Sequence, residues 1–87
     1  MKEPSLARAH RAFSEFYAEM HRGRALHPVW PEDPVHQAAI VAEEAGELVR
    51  AALHHRYEDG TLADIRTEAI QTGAMALRVL LELDELA

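Results

Sequence analysis

The chain has 87 residues, no cysteine, and nine basic against fifteen acidic residues, for a net charge of −6. That length suits one small domain over residues 1–87 whose own core is thin, so association with a second copy is a natural way to bury more. The missing cysteines exclude disulfides and thiolate metal sites, and the scattered arginines make duplex nucleic acid an unsuited partner.

The amino terminus "MKEPSLARAHRAF" lacks the apolar core of a signal peptide, and no run approaches the length of a membrane span. A cytoplasmic protein without membrane contact is therefore expected. A first helix is predicted over residues 5–22, with Leu6, Ala9, Phe13, Phe16, Tyr17 and Met20 as its packing stripe. Arg8, Arg11, Glu15, Glu19 and Arg22 take the opposite side, and Gly23 is the predicted stop.

The loop "GRALHPVWPEDP" follows, its backbone restricted by Pro28, Pro31 and Pro34. Asp33 before Pro34 is a cap followed by proline at the first helical position, so the second helix runs over residues 34–56. It carries Glu43, Glu44 and Glu47 within an arc of roughly 100°. Gly60 makes the next turn, and Thr61 with Asp64 reads as a capping box for a third helix over residues 61–86. Three helices make an all-α bundle, and a fourth would come from another chain.

On the third helix Glu68 falls within a stripe of Ile65, Thr72, Met75, Val79, Leu83 and Leu86, with Asp64 and Gln71 at its edge. A second strip of Ala63, Ile70, Leu77 and Leu81 lies on the far side. A helix with two apolar sides suits a place between neighbours. An ionised carboxylate among apolar residues costs several kcal/mol unless a partner compensates it. Arg50 or Arg11 is one such partner, and a hard cation held by Glu44, Glu47, Glu68 and Gln71 is another. Oxygen donors alone select magnesium, manganese or calcium.

The pair "EEAGE" (43–47) and "EAIQ" (68–71), twenty residues apart, resembles the EExxE and ExxD motifs of the MazG-like nucleotide pyrophosphohydrolases, an all-α superfamily. The lead-in "HPVWPEDPVHQAAIVAEEAGEL" and the following "GAMALRVL" extend the likeness over roughly residues 25–83. The resemblance implies a small helical bundle completed by oligomerisation, as a homodimer or homotetramer. It also implies Mg2+-dependent (or Mn2+-dependent) splitting of a nucleoside triphosphate into monophosphate and pyrophosphate, of house-cleaning type. Glu43, Glu44 and Glu47 match the first motif and Glu68 the second; Glu43 or Glu44 would take the proton of the attacking water.

Gln71 departs from the motif aspartate, which removes one negative charge from the metal site. The alternative is a catalytically decayed relative acting as a binding or scaffolding subunit. Trp30 is a candidate to stack on a base and Arg50 to meet a phosphate. The plainer readings are a core-capping tryptophan and an Arg50–Glu47 ion pair. His27 and His36 are candidates for base or ribose contact, against a reading as surface histidines.

Overall fold

Ser5 starts the first helix by accepting a hydrogen bond on its Oγ from the Arg8 amide at 3.2 Å. The computed structural model describes Glu3 and residues 5–86, without the Leu86 side chain, so the reading of Leu86 as a stripe residue lies outside the described residues. Helix α1 is Leu6–Leu26, α2 is Pro34–Tyr57 and α3 is Leu62–Leu86, and the described residues contain no strand. Among the described residues no helix is long and apolar enough to cross a membrane.

Gly23 does not end α1. A glycine stops a helix when it turns left-handed, and the described glycines all keep negative φ. The stop is His27, at φ −132° and ψ 75°, whose amide donates to the Gly23 carbonyl at 2.8 Å. His27 precedes Pro28, and that position disfavours helical backbone. A Cβ at Gly23 would make only ordinary contact with α3, 3.6 Å from the Met75 Cε.

The starts of α2 and α3 follow their caps. Asp33 accepts from the Val35 amide at 2.9 Å with Pro34 in the first turn. Thr61 Oγ1 accepts from the Asp64 amide at 3.1 Å, and Asp64 Oδ2 faces the Thr61 amide at 3.5 Å. Gly60 is required between these helices, because a Cβ there would fall 2.8 Å from backbone atoms of His54 and His55.

Helix α3 is the middle of the layer. It packs against both α1 and α2, which do not pack on each other. Helices α1 and α3 approach closely at Gly73, where a Cβ would meet the Phe16 ring at 2.6 Å. An ion pair between Arg66 and Glu15 ties the same two helices. Glutamine 37, fully buried, donates to the Pro31 carbonyl at 2.9 Å and holds the proline loop onto α2.

Little apolar surface is fully covered. Met20 and Ala74 are the buried hydrophobic residues, and Gln37 and Arg78 the buried polar ones. The expectation that Leu6, Phe13 and Tyr17 pack inward is corrected: all three are exposed, Phe13 by 53%. At 100° per residue they sit roughly 70° round the helix from Phe16, Met20 and Gly23, which face α3. Phe13 and Tyr17 cover one another, their ring centres 6.2 Å apart.

Candidate functional site

Because α1 and α2 stand apart on α3, they leave a groove with α3 as its floor. At one end a cavity of about 220 Å3 is lined by Glu47, Arg50, Asp64, Thr67 and Glu68. Thr67 also borders a space of about 300 Å3 with Glu19, Arg22 and Gln71. Glu19, Arg22 and Gln71 continue into a cavity of about 200 Å3 with Glu44 and Met75. Glu44 and Met75 in turn line a pocket of about 240 Å3 walled by Trp30, Ile40 and Arg78. The shared residues make this one acidic channel that ends on an aromatic, apolar pocket.

Glu44 is its electrostatic centre. Burial pushes its carboxyl above the ordinary range, and the charges of Glu68, Glu47, Glu43 and Glu19 push it the same way, Glu68 the most among them. Desolvation and like charge both disfavour the ionised form. Glu43 and Glu47 are exposed, whereas Glu44 and Glu68 are half-buried. The acidic arc of α2 thus turns in part toward α3, with Glu44 on the groove side.

Glu68 has no ion-pair partner among the described residues; the pairs there are Arg22–Glu19, His54–Glu58 and Arg66–Glu15. Neither Arg11 nor Arg50 neutralises it. Arg50 is exposed beside Glu47 and Glu68 at the cavity wall, without the intrahelical pair to Glu47 that its spacing suggests. Among the described residues no three His, Asp or Glu side chains converge on one point closely enough to hold an ion together. The donors line one groove without closing into a cage. In kind and charge they are the donors a hard divalent cation takes.

Gln71 faces Glu19 and Glu44 across the groove. Glu19, read from the sequence as a solvated residue, belongs to the site. Its Oε2 accepts from Arg22 Nε at 2.8 Å, and a second bond from Arg22 Nη2 completes the fork. That hydrogen-bonded guanidinium holds the Glu19 carboxyl below the usual range, against a smaller opposing effect of burial. A signal for it existed. At 100° per residue Glu19 lies about 60° from Phe16 and 40° from Gly23, on the packed side.

Trp30 is half-buried, and the Arg78 guanidinium carbon sits 4.2 Å from its ring centre. Cation–π attraction of this kind is worth about 2 kcal/mol when desolvated. Arg78 Nη2 also donates to the His27 carbonyl at 3.2 Å, while Arg78 Nε and Trp30 Nε1 are buried without partners. Burial lowers the Arg78 pKa. Arg78 went unremarked in the sequence, where nothing marks it from other helical arginines. His27 contributes its carbonyl and borders the Trp30 pocket, and His36 is exposed.

In comparisons with known proteins, no family model, no curated protein and no solved structure matches this chain.

Proposed function

We propose that the chain is a Mg2+-dependent nucleoside triphosphate pyrophosphohydrolase of the MazG-like kind, working as a homo-oligomer. One observation carries this reading: Glu44 is held half-buried among four other carboxylates, and Glu68, the nearest in effect, has no ion-pair partner among the described residues. A polyanionic substrate and an acidic groove repel each other, so divalent cations are needed between them.

Glu43, Glu44, Glu47 and Glu68, with the amide oxygen of Gln71, are the residues that would hold Mg2+ or Mn2+. Such ions, when bound, screen the triphosphate and acidify a water. The chain's own groups do the rest. Glu44, at the centre of the groove, takes a proton as the water oxygen bonds to the α-phosphorus. The bond from that phosphorus to the bridging oxygen breaks, and pyrophosphate leaves with the electron pair. Arg50 meets a phosphate at the Glu47–Glu68 end, and the Trp30 pocket takes the base.

The test is pyrophosphate release across a panel of standard and modified nucleoside triphosphates, with and without Mg2+. Release is expected only with the metal, and Glu44→Gln is expected to lower it at least ~100-fold. Release that ignores both the metal and Glu44 overturns the proposal.

Gln71 supports a second reading, a decayed relative that binds or scaffolds. Metal binding without pyrophosphate release on any substrate of the panel selects it.

A further inference from the structure

Arg78 is 3% exposed, and arginines are almost never fully buried unless paired. Among the described residues no carboxylate pairs with it. Glu82, one turn further on, favours its charge without forming an ion pair. The guanidinium has five N–H donors and no acceptor. One donates to the His27 carbonyl, and the Nε–H has no partner. The Trp30 indole N–H beside it, also a donor only, is buried and unpartnered too. Buried donors without acceptors cost free energy that an incoming acceptor relieves.

Local chemistry brings the two donors together. Gln37 ties down the proline loop through the Pro31 carbonyl, and that lays the Trp30 ring against Arg78, one turn beyond the buried Ala74. The pocket that Arg78 lines is mostly apolar, walled by Trp30, Ile40 and Met75. Glu44 stands where it joins the acidic channel. Its volume of about 240 Å3 is below the roughly 300 Å3 at which drug-sized sites begin, which suits one flat ring system. The donors ask for an acceptor, and the Glu44 carboxylate disfavours one that carries negative charge. A neutral ring carbonyl meets both conditions.

We infer that Arg78 determines the specificity of this pocket: it reads a base through a ring carbonyl oxygen, so bases with a carbonyl at that edge are taken over those with an amino group. An amino group there would set a donor against donors and leave both unpaired, which is the strong form of rejection. The inference rests on the placement of the base in the Trp30 pocket given above. It narrows the substrate class to nucleotides of keto bases, of which uracil and hypoxanthine are the simplest.

Nucleosides, which need neither phosphate nor metal, isolate this step. The chain has a single tryptophan, so one indole N–H signal in nitrogen-correlated NMR follows titrations of uridine against cytidine and of inosine against adenosine. In each pair a ring carbonyl replaces an amino group, and the carbonyl partner is expected to bind at least ~10-fold more tightly. Arg78→Met should bring both ratios to about twofold or less, with circular dichroism checking that the helices persist. If that variant loses helicity, Arg78→Lys is read instead. It keeps the charge without the planar fork, and a fall in both ratios supports the inference. Equal binding within the pairs, a preference for the amino base, no shift with any nucleoside, or displacement of uridine by inorganic phosphate overturns it. So do ratios that Arg78→Met leaves unchanged in a folded chain. A carbonyl preference in a chain that releases no pyrophosphate keeps the role of Arg78 and loses only the enzymatic reading. Pyrophosphate release that treats the paired triphosphates alike does the reverse.

Discussion

Glu68 on α3 raises the pKa of Glu44 on α2 more than any other carboxylate does, ahead of Glu47, Glu43 and Glu19. Two glutamates from different helices therefore share one region of space, and neither has an ion-pair partner among the described residues. The repulsion between them is a reservoir that a divalent cation can relieve.

Added Mg2+ or Mn2+ is expected to raise the melting temperature. An ion present at a hundred times its Kd contributes about 2.7 kcal/mol, which moves a domain of this size by roughly 10–20 °C. Glu44→Ala or Glu68→Ala should remove most of that gain, and Gln71→Asp should enlarge it. Differential scanning fluorimetry over a metal titration reads all four proteins. A melting temperature indifferent to millimolar metal sinks the site.

The pH dependence without metal has a definite sign. Glu44 binds its proton more tightly folded than unfolded, so its contribution is fully present below the unfolded carboxylate pKa, near 4.3, and is lost as pH rises through the raised folded value. Glu19 runs the other way: its folded pKa is depressed by Arg22, and its stabilisation is lost as pH falls through that value. Urea unfolding from pH 4 to 7 should therefore show Glu44→Gln more stable than the unchanged chain at pH 7 and the gap closing toward pH 4. A gap that does not change with pH would mean that Glu44 is solvated, and a reversed trend that its charge is stabilised in the fold.

Gly73→Ala places a methyl 2.6 Å from the Phe16 ring. Alanine favours a helix by about 1 kcal/mol over glycine, but overpacking costs about 1–3 kcal/mol. A net loss is expected, and Phe16→Leu in the same chain should recover part of it. Chemical denaturation of the two single variants and the double gives the coupling directly.

Arg78→Met keeps the bulk of the side chain but drops the contact with Trp30 and the bond to the His27 carbonyl. A loss of about 1–3 kcal/mol is expected. Trp30 is the sole tryptophan, so its fluorescence reports the pocket, and a red shift is expected as the proline loop loosens. An unchanged spectrum would place the arginine elsewhere in solution.

Local chemistry was legible residue by residue. Asp33 with Pro34, Thr61 with Asp64, and Gly60 act through neighbours within a few positions, and the helices begin where these residues put them. Gly23 was misread because a glycine ends a helix only where its backbone turns left-handed, and this one stays helical while the helix ends at the residue before Pro28. Phe13 and Tyr17 share their helical spacing with Met20, and spacing is blind to which part of a stripe finds a neighbour.

The sequence alone determined that the chain is helical, where α2 and α3 start, and that acidic residues gather one turn apart on them, because caps and periodicity act over one or two turns of backbone. Only the tertiary structure decided that α3 lies between α1 and α2, that Glu19 and Arg78 join the groove, and that Phe13 and Tyr17 stay exposed. Those outcomes depend on how the helices are turned about their axes and which pairs touch. That is a property of distant packing, which no local spacing carries.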